Sequence, residues 1–345
     1  MKRTLTCIGR ILAVHRTLGI GRILAVHRTL GIRRILKVRR VPGIGRILAD
    51  DAGDVLLLTA VSMVALCGFG AMAIDAGVVM AKHQQAQAAA DAGALAGASD
   101  LLAGAQAAAD TAYQYAKNND SNAGFTATAD TSAQTVTVSG SEKVSLWLAR
   151  VLGYRTSNIG VTAQAQMGTL VSGIGMVPLA VPNQQFYYGE EVNLSQGAGS
   201  GSSGNYGFLD LSGQGANGIV TDLEHGYTVP LSVGEQVPTE TGVMAGPVKE
   251  AIDYRLNAAA NDTACQSYTT VRSDCSTMMY LPVVNTLDVN GKKHVTILGF
   301  AAFFLQGLEG SGGQQYITGR FIRMIRPGVL GTGTDFGLET VKLSH

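Results

Sequence analysis

Two cysteines are the residues whose type and spacing point most directly to a reaction, the formation of a disulfide bond. Cys265 and Cys275 lie ten positions apart, whereas Cys7 lies near the start of the sequence and Cys67 within an apolar run. A bridge between Cys265 and Cys275 requires an oxidising compartment outside the cytoplasm. In the chain-entropy model the bridge would stabilise the fold by about 2.5 to 3 kcal/mol. Two unrelated free thiols are the alternative, and no second Cys or His pair nearby completes a zinc site.

Motifs for catalysis or cofactor binding are weak in this sequence. The six His residues form no H-E-x-x-H spacing, and the G-x-S-x-G motif of serine hydrolases does not occur. Residues 199–204 read G-S-G-S-S-G and formally match a dinucleotide-binding loop, but they lie in a Gly/Ser-rich linker without a following strand-to-helix unit. We therefore expect no cofactor, no metal and no catalytic residue. An unrecognised active site within residues 173–328 is the alternative.

A long uncharged run lies within the first quarter of the sequence. Val55 to Ile74 contains twenty residues without a charge, with Asp54 before it and Asp75 after it. A helix of that length, at about 1.5 Å per residue, crosses the roughly 30 Å hydrocarbon core of a bilayer. We expect a single transmembrane helix. A buried core helix and a cleaved secretory signal are the alternatives, although the run exceeds the roughly 7 to 15 apolar residues usual in a signal. For Asp75 we expect a role in topology or packing.

The charge distribution predicts the orientation of this helix. Residues 1–50 contain 12 Lys/Arg and one acid, Asp50, whereas the rest of the chain has 14 basic and 24 acidic residues. The positive-inside rule therefore places the N-terminus in the cytoplasm and the C-terminal part outside it, in the periplasm or at the cell surface.

The basic arm, residues 1–52, consists of repeats. The twelve-residue sequence GRILAVHRTLGI occurs at 9–20 and again at 21–32, and two decayed copies follow. One interpretation is a basic segment that binds the inner leaflet. The other is a start codon assigned too far upstream, because selection on a surface helix would preserve a pattern rather than identity.

Beyond Asp75 the composition favours a continuing helix. Met80 to Lys117 is rich in Ala, and the turn-forming sequence NNDSNAG ends it. Gly93, Gly97 and Gly104 are spaced by four and seven residues, which predicts one face that another helix or sheet approaches closely. Glycine acquired by drift in an Ala-rich helix is the alternative.

Shorter elements follow the helix. Alternating apolar and polar residues predict strands at Phe125–Ala129, Thr135–Ser139 and Ile159–Met167, with a helical pattern at Val144–Leu152 between them. Further on, a short helix at 247–256 and the eleven-residue apolar run 295–305, too short to span a bilayer, indicate a β-rich domain with a buried core segment.

The stretch from Asp54 to Ala98 resembles the TadE/TadG-like proteins of Flp (tight adherence) pilus assembly, the Tad family. In that family a Gly precedes a membrane helix, an Asp closes it, and a Gln-rich turn leads into an AADAAALAGA-type run. The matching residues here are Asp75, Gln84, Gln85, Gln87, Ala90, Asp91, Ala92, Ala94, Leu95, Ala96, Gly97 and Ala98. The sequences LARVLG at 148–153 and VTAQAQ at 161–166 are also similar to the family, and residues 173–328 resemble the C-terminal region of some Tad-domain proteins.

The resemblance implies an organisation and a processing site. Together with the residue patterns above, it indicates a membrane-anchored α+β protein whose long N-terminal transmembrane helix continues into a pilin-like region. The four expected segments are the arm 1–52, the transmembrane and Ala-rich helix 53–117, the pilin-like α+β region 118–170, and a β-rich exported domain 171–345. Peptidase cleavage would fall between Gly53 and Asp54. Leu58 stands where related pseudopilins have the Glu that supports assembly, and this favours permanent anchoring.

The resemblance also implies a function without catalysis. We expect a scaffold or minor pilin-like subunit whose partners are other Tad/Flp pilus-assembly proteins and membrane lipid, with no nucleic acid and no small-molecule substrate. A surface adhesin and an anchored extracytoplasmic enzyme are the alternatives.

Overall fold

A computed structural model describes residues 54–195, 205–241, 245–289, 291–311 and 314–344. The basic repeat arm, Gly53 and the G-S-G-S-S-G sequence lie outside the described residues. The chain divides into two compact units, residues 1–70 and 71–345. Helix α1 (Asp54–Ser99) begins in the first unit and ends in the second.

In the first unit the described residues are the opening turns of α1, and their large apolar side chains are exposed. Among the described residues, α1 is one helix that is long and apolar enough to cross a membrane. In a water-soluble protein such side chains would be buried against a core. The exposed apolar residues are Val55, Leu56, Leu57, Leu58, Val61, Met63, Val64, Leu66 and Phe69.

In the second unit α1 is followed by a second, antiparallel helix. The helix predicted to reach Lys117 is interrupted: α1 ends at Ser99, a 3-10 turn spans Leu101–Ala103, and α2 covers Ala105–Asn119. The interruption occurs at Gly104, whose φ of 110° is a conformation that glycine adopts easily. Because α2 returns along α1, the Ala-rich sequence packs on itself instead of forming one extended rod.

The first sheet packs against these helices. Its order is β1-β2-β3-β14-β12, and β7 and β13 also pair with β3. Neighbours are antiparallel except for the parallel pair of β12 and β14. The strands of this sheet are β1 (Gly124–Asp130), β2 (Thr135–Ser145), β3 (Thr156–Gly173), β7 (Leu231–Ser232), β12 (Met324–Ile325), β13 (Val329–Leu330) and β14 (Leu338–Ser344).

The three predicted strands of this region are confirmed, and each is longer than expected. The helix predicted at 144–152 is wrong. Val144 continues β2 and is buried, whereas residues 149–152 form a single 3-10 turn. The apolar spacing that indicated a helix instead belongs partly to a strand and partly to an exposed loop.

The second sheet forms the core of the rest of the unit. Its order is β4-β9-β10-β11-β5, and β8 pairs with both β10 and β6. The predicted core segment 295–305 is confirmed, since it lies within β10 and most of its side chains are buried. The strands are β4 (Val181–Pro182), β5 (Glu191–Ser195), β6 (Asn205–Leu209), β8 (Gln236–Thr241), β9 (Met278–Val284), β10 (His294–Ser311) and β11 (Gln314–Ile322).

Two helices accompany this sheet, α3 (Gly215–His225) and α4 (Ala245–Ala259). The second contains the predicted helix at 247–256, and the first was not predicted. The first sheet contains strands from both sides of the predicted segment boundary at 170/171: β3 runs through the boundary, and β14 lies near the end of the sequence. The described residues of the second unit therefore form a mixed α/β fold with β-rich sheets.

Candidate functional site

Asp75, the first charged residue after the apolar run, is bonded to a distant loop. One carboxylate oxygen accepts the backbone N–H of Trp147 at 2.9 Å, and the other accepts those of Leu148 at 3.0 Å and Ala149 at 2.6 Å. The side chain is buried, with 4% of its surface exposed. A carboxylate that accepts three backbone N–H groups fixes both the loop and its own orientation. The structure thus gives Asp75 a packing contact more than seventy residues away.

The loop that Asp75 holds joins β2 to β3, and we call residues 146–155 the tryptophan loop. Its ends are joined by the hydrogen bond from the N–H of Leu146 to the carbonyl of Arg155, 3.0 Å long. Three of its large side chains face away from the protein: Trp147 is 77% exposed, Val151 88% and Tyr154 68%. The tryptophan loop therefore combines a fixed backbone with exposed apolar side chains.

Gly93 and Gly97 lie where α1 meets α2. A Cβ atom at Gly97 would lie 2.6 Å from the carbonyl oxygen of Ala108 and 2.6 Å from the Cβ of Ala112. A Cβ atom at Gly93 would lie 2.7 Å from the carbonyl oxygen of Ala112. These distances are below van der Waals contact, so the two helices approach closely only because both positions are Gly.

Gly104 does not share this contact. Its spacing from Gly93 and Gly97 predicts a shared face, but Gly104 lies in the turn between the helices and nothing is within 4 Å of its Cβ position. Its role is conformational, because its positive φ lets the chain reverse. The small-residue face of α1 is thus occupied by the chain's own α2.

On another side, α1 is attached to the first sheet. The side-chain amide of Gln87 donates to the carboxylate of Asp91 at 2.8 Å and to the backbone carbonyl of Thr162 in β3 at 3.1 Å. Lys82 lies 3.7 Å from the carboxylate of Glu142 in β2. Buried Ala residues fill the space between these polar contacts. The second half of α1 is therefore part of the folded unit.

The predicted disulfide is present. Cys265 and Cys275 are bonded, and both are buried. Arg272, within the loop that the bridge closes, bonds to Asp262 at 2.8 Å. This hydrogen bond, together with one from a backbone N–H, holds the pKa of Asp262 below its ordinary value of 3.8.

A buried arginine, which the sequence did not single out, holds the segment that follows the disulfide loop. Arg255 of α4 donates to the carbonyl of Leu223, to that of Ser276 at 2.8 Å and to that of Met278 at 3.0 Å. Burial lowers its pKa to about 10, so the guanidinium remains charged at neutral pH. Nothing in its spacing marks Arg255, because its partners come from α3 and from the segment after the bridge.

Potential metal ligands are scattered in the described parts of the chain. There, no three His, Cys, Asp or Glu side chains are placed to hold a metal ion. The exposed cysteine in those ranges is Cys67, within the apolar run of α1. The features that stand out are the exposed apolar helix, the Asp75 contact and the tryptophan loop.

A comparison with known protein families finds a match that covers α1. Residues 53–100 match the Tad family model. Its description reads putative Flp pilus-assembly TadE/G-like. The matched segment extends one residue beyond the end of α1, so it contains Asp75 and the two close-packed glycines. No curated protein and no solved structure matches this chain. The resemblance of residues 148–168 and 173–328 to Tad proteins stays a prediction.

Proposed function

We propose that this chain is a membrane-anchored, non-catalytic component of Flp pilus assembly that acts as a scaffold. The observation that carries the proposal is the Tad match over residues 53–100, a segment that forms a helix with an exposed apolar first half. As a scaffold, the protein is anchored by residues 55–74, and the part of the second unit beyond residue 74 presents surfaces to other pilus-assembly proteins.

Charge and cysteine chemistry support the direction in which the chain crosses. The 12 basic residues before position 51 favour a cytoplasmic N-terminus. The Cys265–Cys275 bridge lies on the opposite side of the apolar run, and a disulfide persists in an oxidising compartment. Both features favour export of the second unit to the periplasm or the cell surface.

The packing of α1 narrows the surfaces available for docking. The glycine face of α1 is filled by α2, so it stabilises this protein and is closed to a partner helix. Docking to other Tad proteins therefore falls to exposed surfaces of the sheets and loops of the second unit.

A genetic experiment tests the anchored scaffold. In the native host, deletion of the gene should abolish Flp pili counted by electron microscopy, and the full chain should restore them. The matched variant carries a cleavable secretory signal in place of residues 1–74, so that the second unit is exported without an anchor. This variant should be secreted but should fail to restore pili. Normal piliation in the deletion strain, or with the unanchored unit, would contradict the proposal.

The N-terminus distinguishes a scaffold from a minor pilin-like subunit. We propose that the Gly53–Asp54 bond stays intact, because Leu58 replaces the Glu that favours assembly into a pilus. Mass spectrometry of the membrane-extracted protein should find residues on both sides of this bond in one peptide. A mature N-terminus at Asp54 would favour incorporation into the pilus.

A further inference from the structure

The tryptophan loop exposes side chains that suit a membrane surface better than water. Trp147, Val151 and Tyr154 are all more than two-thirds exposed. Arg150 and Arg155 are exposed beside them, and Arg155 forms no ion pair with any other described residue. Trp and Tyr concentrate at the interface between hydrocarbon and headgroups, where one part of the ring is apolar and the other wet.

The contact with Asp75 fixes where this loop lies along α1. Residues 71–74 are the last of the uncharged run, and they belong to the same folded unit as Asp75 and the tryptophan loop. The backbone nitrogens of residues 147–149 are within 3.0 Å of the Asp75 carboxylate. If residues 55–74 span the hydrocarbon, residue 75 lies at the headgroup level, and the tryptophan loop lies beside it.

We propose that the tryptophan loop is a second membrane contact, which inserts Trp147, Val151 and Tyr154 into the outer interface of the bilayer that α1 crosses. Arg150 and Arg155 would then bind lipid phosphate groups, since guanidinium pairs well with phosphate oxygens. This inference rests on the anchoring function proposed above. It implies that the exported unit is held against the membrane at two points.

A loop of this kind suits the task because its backbone is already ordered. The Asp75 carboxylate and the bond between Leu146 and Arg155 hold its shape before any lipid binds. Insertion therefore costs little conformational entropy, and the apolar area removed from water is favourable. The transmembrane helix and the tryptophan loop together would restrict tilting of the second unit relative to the membrane, whereas the helix alone would allow it.

The chain offers a direct probe, because Trp147 is its single tryptophan. The full chain is reconstituted in vesicles of phosphatidylethanolamine and phosphatidylglycerol, with part of the lipid brominated either high on the acyl chains or near their methyl ends. Bromine quenches tryptophan fluorescence only at close range. Acrylamide, added to the water phase, reports exposure to solvent in the same samples.

A matched control moves the tryptophan away from the membrane. Tyr115 on α2 is 53% exposed, and it adjoins Ala116, which contacts Gly93. Gly93 lies eighteen residues beyond Asp75, about 27 Å along the helix. The double variant Trp147→Phe/Tyr115→Trp should therefore be quenched by acrylamide and not by bromolipid.

Lipid brominated high on the acyl chains should lower the Trp147 emission at least about twofold, and by more than lipid brominated near the methyl ends. Acrylamide should quench Trp147 less than it quenches the tryptophan at position 115 in the control variant. Strong acrylamide quenching without bromolipid quenching would overturn the proposal. Shielding from both quenchers would also overturn it, because it would mean that protein covers the loop. An alkaline wash separates the two proposals: chain that resists it is anchored whatever Trp147 shows, and chain that is released overturns the anchor itself.

Discussion

The close approach of α1 and α2 leads to a sharp prediction about glycine. Replacing Gly97 by Ala adds a Cβ atom that would lie 2.6 Å from both the Ala108 carbonyl oxygen and the Ala112 Cβ. Carbon atoms pack at about 3.5 to 4.0 Å, so the helices must separate locally by about 1 Å. Overpacking of this kind costs about 1 to 3 kcal/mol.

The higher helix propensity of Ala opposes the packing cost of Gly97→Ala, so a control variant is needed to separate the two effects. Ala is more favourable than Gly in a helix by about 1 kcal/mol, which offsets part of the cost at Gly97. Gly77 lies in the same helix, and nothing is within 4 Å of its Cβ position. Gly77→Ala should therefore show the propensity gain alone. The difference between the two variants cancels propensity and isolates packing, and it should be about 1 to 3 kcal/mol.

The assay is urea unfolding of the full chain in mild detergent, followed by the fluorescence of Trp147. The folded unit that contains Trp147 also contains α2 and residues 71–99 of α1, so loosening of the contact between the two helices should shift this transition. Gly97→Ala should unfold at lower urea than wild type, and Gly77→Ala should not. Equal midpoints for the two variants would refute the reasoning that Gly97 is required by close helix packing.

Three further changes test individual contacts. Asp75→Asn replaces a carboxylate oxygen with an amide group that faces backbone N–H donors, so backbone hydrogen exchange in the tryptophan loop, measured by mass spectrometry, should become faster. Asp130→Asn is the control: it loosens only the β1–β2 turn and should leave exchange in the tryptophan loop unchanged. Reduction of the Cys265–Cys275 bridge should lower the free energy of unfolding by about 2.5 to 3 kcal/mol, and unchanged urea midpoints with reductant would contradict this. The pKa of Asp262 is lowered in the folded state, so the contribution of this carboxylate to folding stability is fully present above its ordinary pKa of 3.8 and is lost as the pH falls through the lowered pKa. Thermal unfolding should show that the melting temperature of wild type exceeds that of Asp262→Asn above this pH range and that the difference disappears within it.

Features with a local signal could be predicted from the sequence. The length of the uncharged run predicted a helix able to cross a membrane, and period-two alternation predicted the strands around Val136 and Val161. The disulfide was predictable because its two cysteines form the one pair on the far side of that run. Each of these inferences depends on residues close together in sequence.

Features that depend on distant contacts could not be predicted. In the sequence, Asp75 is a charged residue at the end of an apolar run, and its sequence neighbours do not indicate that the N–H groups of residues 147–149 are its hydrogen-bond partners. The tryptophan loop illustrates a second limit. Its apolar residues recur at helical spacing, but they are exposed, and spacing alone does not distinguish a buried helix face from an exposed loop.

The central claim, that the chain is an anchored scaffold of Flp pilus assembly, is tested most directly by cross-linking in living cells of the native host. The full chain is purified from membranes after cross-linking, and its partners are identified by mass spectrometry against a strain that lacks the chain. Other Flp pilus-assembly proteins should be enriched together with the membrane-bound chain. Recovery of the chain from membranes without any of these proteins would contradict it.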